Sequence, residues 1–143
     1  VGRGCLGRPW LFADLVESFN GGEKKVLPSL HQVSEVMYRH GELIVDYFES
    51  EDRGCRDLRK HMAWYLKGFR VHSELRRQFG MVGSLNELRS LLNQLDDQPY
   101  PVDVAEKPRG RTSSGRPPTL PDGWLNDPDE MIHLDAEDMF SGG

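Results

Sequence analysis

Apolar residues recur at helical spacing over the first two-thirds of the chain, and the pattern then stops. The first run, WLFADLVESF (residues 10–19), follows Pro9, which suits a first helical turn because its missing N–H has no partner there anyway. Asn20-Gly21-Gly22 ends it with residues that tolerate left-handed backbone. Ser29-Leu30-His31-Gln32 forms a capping box. It opens a long helix whose apolar stripe is Leu30, Val33, Met37, Ile44, Tyr47 and Phe48. Gly41, inside that helix at a cost of about 1 kcal/mol relative to Ala, marks close approach of a neighbour. A third helix is predicted from Arg53 to near Gly68, with Cys55, Leu58, Met62, Tyr65, Leu66 and Phe69 on one face. Residues 71–79 predict a short helix with Arg76 and Arg77 exposed, closed by Gly80 and Gly83. Ser84-Leu85-Asn86-Glu87 reads as a second capping box, with Leu85, Leu88, Leu91, Leu92 and Leu95 turned inward. Short links between amphipathic helices predict an antiparallel helical bundle, a mainly α fold.

From Asp96 the texture changes. Prolines at 99, 101, 108, 117, 118, 121 and 128 and eleven acids predict a tail without its own core, partly docked or disordered. Within it, Leu120 to Leu125 holds Trp124 and predicts a patch that folds back onto the body, whereas Asp127 to Asp138 is solvated. The predicted organisation is an opening unit at 1–22, a helical domain at 23–95 and the tail at 96–143.

Charge is segregated along the chain. The 143 residues carry a net charge of −5, but 53–77 hold eight Lys/Arg against two acids. Opposite the apolar face of the third helix, Arg53, Arg56, Lys60, Ala63, Lys67 and Arg70 fall at spacings of three and four. Ordinary surface helices mix signs for i,i+4 pairing. A cationic stripe suits the phosphate backbone of a nucleic acid; the alternative is a solvated surface face. Trp64, at the edge of the stripe, either stacks on an unpaired base or packs against a neighbour, and packing is the favoured reading. His61, beside Lys60, suits a structural or phosphate-contacting role rather than catalysis.

Nothing in the sequence forms a catalytic constellation. Paired carboxylates, a nucleophile motif and metal-ligand spacing are all absent, and the five histidines are scattered. Cys5 and Cys55 give no disulfide framework, which predicts a reducing, cytoplasmic setting. No apolar run reaches the roughly 18 residues of a membrane span. The chain opens at Val1 without a Met, so a fragment of something longer is expected.

Two stretches, GRGCLGRPWLF at 2–12 and RKHMAWYLKG at 59–68, together resemble the tRNA-dihydrouridine synthases, flavin enzymes that reduce uridine in tRNA. The resemblance implies the C-terminal part of such an enzyme. Residues 1–12 are then the end of the last strand of a TIM-type (β/α)8 barrel and the turn into its final helix, and residues 23–95 are a tRNA-binding helical domain. It further implies FMN as cofactor, NADPH or NADH as its reductant, tRNA as partner, and neither metal nor membrane. A monomer is expected. Gly2, Arg3 and Gly4 would lie at the FMN phosphate, where a glycine-rich turn offers backbone N–H groups. Arg53, Arg56, Arg59, Lys60, His61, Lys67 and Arg70 would contact RNA. The family's catalytic cysteine, which protonates the uracil, lies upstream of these residues. Cys5 is not that cysteine, so this piece reduces nothing by itself.

The competing class is a stand-alone helical nucleic-acid-binding or interaction module without catalytic activity. It predicts a gene product that starts near residue 1, and an open reading frame extending upstream excludes it. Another FMN barrel oxidoreductase with an unrelated helical extension is the third reading. It leaves the basic stripe without a use.

Overall fold

A computed structural model describes residues 1–107; the expected Trp124 patch and the acidic stretch from Asp127 lie outside the described residues. Among the described residues six helices follow a short 3-10 turn at Arg3–Cys5: α1 (Leu11–Phe19), α2 (Leu30–Phe48), α3 (Glu51–Tyr65), α4 (Ser73–Phe79), α5 (Leu85–Leu92) and α6 (Val102–Ala105). Among the described residues there is no strand. The strand end expected at the opening is a 3-10 turn, because a lone extended segment has no ladder partner here to satisfy its backbone.

The pair α2–α3 is the centre of the fold. Ser29 accepts the α2 capping-box bond and Gln32 returns one to the Ser29 N–H at 2.9 Å. Two residues, Glu49 and Ser50, turn the chain, with Glu49 in the left-handed region at φ 50°. Ser50 then caps α3 by accepting from the Arg53 N–H, while Glu51 and Asp52 complement the positive end of the helix. Across the turn the helices run antiparallel. A Cβ on Gly54 would lie 2.8 Å from Val45 Cα, and one on Gly41 would meet Leu58, Leu85 and Leu88 methyls at 3.0–3.2 Å. Glycine at both positions is what lets α2, α3 and α5 approach so closely.

The core follows the apolar periodicity closely. Leu30, Val33, Met37, Leu58, Met62, Phe79, Leu88 and Leu92 are essentially inaccessible, and every residue of the predicted α3 stripe is buried. One aromatic departs: Tyr47 is 81% exposed, since it lies on the flank of α2 and not under α5. Residues 96–107 join this core. Tyr100 and Ala105 are buried, and Tyr100 packs edge-on against Trp10 at 5.8 Å between ring centroids. The cause is unsatisfied helix ends. The Leu30 N–H donates to the Gln98 carbonyl and the His31 N–H to Asp97 Oδ1, both at 2.9 Å. Those are orphan donors of the first turn of α2. Gln98 also clamps Arg70 with its side-chain amide, accepting from the Arg70 N–H and donating to the Arg70 carbonyl. The docked part of the proline-rich segment is therefore held by hydrogen bonds that no apolar pattern announces.

Candidate nucleic-acid interface

Helix α3 presents a basic edge narrower than the sequence suggests. Arg53 is exposed and its guanidinium stands 5.4 Å from the Phe48 ring centroid. Arg56 pairs with Asp52 at 3.1 Å and Lys60 with Asp57 at 2.6 Å, all on the solvent side. Exposed pairs of this kind contribute little, about 0–1 kcal/mol, and give way to a better anion. The helix stops at Tyr65 instead of Gly68, so Lys67 and Arg70 do not continue the stripe as helical positions. Gly68, at φ 87°, turns the chain away. Lys67 Nζ donates to the Lys107 carbonyl at 3.2 Å, and Arg70 is an exposed side chain on the backbone clamped by Gln98. Arg53, Arg56 and Lys60 are thus the contiguous cationic edge.

Two other arginines serve the fold. Arg59 Nε donates to the Val82 carbonyl at 2.9 Å, across to the α4–α5 connection. Arg76, expected on the surface, is part-buried instead. It donates to the carbonyls of Leu66, Phe69 and Val71 at 2.6–3.1 Å. The chain leaving α3 exposes carbonyls that lack intrahelical partners, and a guanidinium with several donors satisfies them together. Arg77 stays outside, paired with Glu74. The second capping box is half formed: Ser84 caps the Glu87 N–H, but the Glu87 carboxylate accepts from the Gly83 N–H at 2.7 Å.

His61 and Trp64 pack together at 5.3 Å between ring centroids, and His61 meets His40 of α2 at 4.7 Å. His40 Nδ1 lies 3.1 Å from the Tyr65 hydroxyl. Burial pulls both imidazoles below the ordinary histidine range, and each gains a further downward push from Lys60. At neutral pH His61 is therefore an uncharged ring. Burial also pushes the Tyr65 phenol up to about 12. This histidine cluster went unseen in the sequence. Its signal was the two-residue α2–α3 turn, which sets residues about equally distant from Glu49–Ser50 opposite each other.

The opening turn leans on the same place. Gly7, at φ 62°, sits against the Trp64–Tyr65 peptide, where a Cβ would collide with backbone. Gly2, Arg3 and Gly4 are exposed, and a Cβ on Gly2 would meet nothing within 4 Å. Cys5 Sγ donates to the Gly2 carbonyl at 3.2 Å, and Cys55 is buried in the α3 stripe. Among the described residues no group of His, Cys, Asp or Glu could hold a metal, and no helix is long and apolar enough to cross a membrane.

Comparison with known proteins agrees with the resemblance carried by the motifs at 2–12 and 59–68. The chain is 51% identical, over its whole length, to a protein named "Probable tRNA-dihydrouridine synthase" in Mycobacterium leprae, and 49% identical to one of the same name in Mycobacterium tuberculosis. It spans about 37% of the length of each of these relatives. Over 57% of the chain it is 39% identical to tRNA-dihydrouridine synthase B of Pasteurella multocida. No solved structure matches. The family model described as dihydrouridine synthase matches residues 1–100, which contain both the opening turn and the whole of α2 to α5, and the chain therefore belongs to the dihydrouridine synthase family.

Proposed function

We propose that this chain is the helical, tRNA-gripping part of an FMN-dependent tRNA-dihydrouridine synthase that works in the cytoplasm. One observation carries the reading. Helix α3 buries its apolar face completely in the core and turns Arg53, Arg56 and Lys60 outward along one edge. A rigidly seated row of cations spaced along a helix suits successive phosphates, whose neutralisation releases counterions. Asp52, paired with Arg56, is exposed and Asp57, paired with Lys60, is partly exposed, so a polyanion displaces them at small cost.

The opening turn fits a second, smaller share of the work. Gly2, Arg3 and Gly4 are exposed residues of a glycine-rich turn that carries a cation, which suits the phosphate of FMN. Bound flavin supplies the hydride for uracil reduction; these residues would hold one end of it. Helix α1 leaves Phe12, Val16 and Phe19 exposed at 53%, 61% and 88%. That spacing places them on one face, suited to the rest of a full-length synthase, the barrel of which residues 1–22 would be an edge.

The test is binding of unmodified tRNA by the 143-residue chain and by a variant with Arg53, Arg56 and Lys60 all changed to Gln. Glutamine keeps helix propensity and removes charge. A tenfold or greater loss of affinity, as roughly expected for three phosphate contacts, supports the reading. Equal binding by both proteins refutes it.

A further inference from the structure

A cleft of about 550 Å³ opens between the turn at Cys5–Pro9 and the α2–α3 pair. It is lined by Pro9, Val36 and Leu43 and by the rings of His40, His61 and Tyr65. Leu43 is 51% exposed, an apolar side chain left at the mouth. His40 and Tyr65 engage each other, but His61 takes only ring contacts, and its nitrogens make no hydrogen bond to any described residue. A pocket with apolar sides, aromatic rings and a neutral imidazole still free to donate and accept suits a flat heterocycle that has both donors and acceptors on its edge.

The charges around it point to an anionic carrier of that ring. Arg39 lines the cleft from α2, and Lys60 of α3 adjoins His61 in sequence. Their partners, Glu42 and Asp57, are partly exposed, so both cations can exchange to phosphate. Glu35, the acid lining the cleft, is already paired with Arg89. Around α3 the order is Lys60, Trp64, Asp57, His61, Tyr65, so the basic edge reaches the cleft past one acid, Asp57, which is paired with Lys60. Protonation of either imidazole is opposed by burial and by Lys60, and that of His61 also by the His40 ring, while Asp57 favours it; the rings stay neutral and do not compete for the phosphates.

We propose that this cleft receives an unpaired nucleobase of the RNA whose backbone lies along Arg53, Arg56 and Lys60. The inference rests on the RNA-binding reading above and adds a base-stacking site to it. Base stacking on protein rings contributes about 1–3 kcal/mol, or roughly five- to 150-fold in affinity.

The experiment compares binding of a short oligouridylate with that of a sugar–phosphate strand of equal length lacking bases, using the full chain. The base-bearing strand is expected to bind at least about fivefold tighter. Leu43→Gln and His61→Gln are each expected to remove most of that preference, and Leu43→Gln to leave affinity for the abasic strand unchanged. Folding of both variants is checked by circular dichroism. On the wild-type chain, the imidazole nitrogen signals of His40 and His61 are expected to shift with oligouridylate and to stay in place with the abasic strand. Equal binding of the two strands overturns the cleft assignment and leaves the phosphate grip standing. Binding of neither overturns both. A preference that survives in both variants puts the base elsewhere and overturns the assignment. Two further results overturn it as well: displacement of the oligouridylate by FMN, which makes the cleft a flavin site, and imidazole signals already shifted in a longer synthase without RNA, which makes it a seat for the rest of the protein.

Discussion

Replacing Gly54 by Ala tests whether α3 is seated on α2 as described. A Cβ at Gly54 would lie 2.7 Å from Val45 Cγ2, 2.8 Å from Val45 Cα and 2.9 Å from Val45 N. Two of those atoms are backbone, so the clash cannot be relieved by a rotamer change; the helices must part. Overpacking of this kind costs about 1–3 kcal/mol, and a backbone contact belongs at the upper end. Alanine regains about 1 kcal/mol of helix propensity over glycine. The net expectation is a loss of about 2 kcal/mol. Gly41→Ala is the internal control. Its Cβ would meet only the terminal methyls of Leu85, Leu88 and Leu58 at 3.0, 3.1 and 3.2 Å. Those ends give by a few tenths of an ångström, so about 1 kcal/mol of crowding is offset by about 1 kcal/mol of propensity. Urea unfolding of the chain, followed by helical circular dichroism, measures both. Gly54→Ala should lower the midpoint at unchanged slope, and Gly41→Ala should leave it nearly where it was. A stable Gly54→Ala, or a Gly41→Ala that destabilises more, refutes the packing argument.

Arg76→Met should destabilise by about 2 kcal/mol, because the carbonyls of Leu66, Phe69 and Val71 lose a charged donor; the same urea series reads it. Glu49→Gly should stabilise by about 1 kcal/mol, since a left-handed φ of 50° strains any residue with a Cβ; no gain in midpoint would contradict this. Truncation after Leu95 should unfold or severely destabilise the chain by stripping Tyr100, Ala105 and the Asp97–Gln98 bonds from α2, whereas a cooperative, wild-type-like transition would refute the docking of residues 96–107. Stability should also fall in mild acid. His40 and His61 are depressed below 6.5 in the fold, so the unfolded chain takes up protons first as pH drops through about 6.5. The loss continues until the folded pKa values are passed, and midpoints at pH 7.5 and 5.5 with His61→Gln as comparison should show it. Asp97 and Glu74, held below the usual carboxylate range by hydrogen bonds, lose their contribution only in stronger acid, so they leave this window clear.

The apolar face of α3 was legible because every third or fourth residue from Cys55 to Phe69 is apolar, and burial follows that period. Gly41 was legible too, since a helix accepts a glycine there only for a neighbour's sake. Tyr47 was misread because it stands at the margin of the stripe, where residue type cannot tell whether another element covers it. Arg59 and Arg76 look like surface cations in one dimension. Their bonds to Val82, Leu66, Phe69 and Val71 exist only after α4 folds back toward α3. Asp97 and Gln98 sit in a proline-rich, acidic context that resembles a solvated tail. Their role comes from the open first turn of α2, some 66 positions away in the chain for the His31–Asp97 bond. The basic edge was seen at the right helix but drawn too long, because composition does not mark the stop at Tyr65.

The most direct test of the central claim is the salt dependence of tRNA binding. Affinity of the 143-residue chain for unmodified tRNA is measured across a salt series, beside a variant with Arg53, Arg56 and Lys60 changed to Glu. The account predicts a steep fall of log affinity with log salt for the wild type. The variant's slope should be smaller by about 2–3, given a contribution of roughly 0.7–0.9 per phosphate contact. Equal slopes for the two proteins would contradict it: the cationic edge of α3 would then be a solvated face, and the grip on RNA would lie elsewhere.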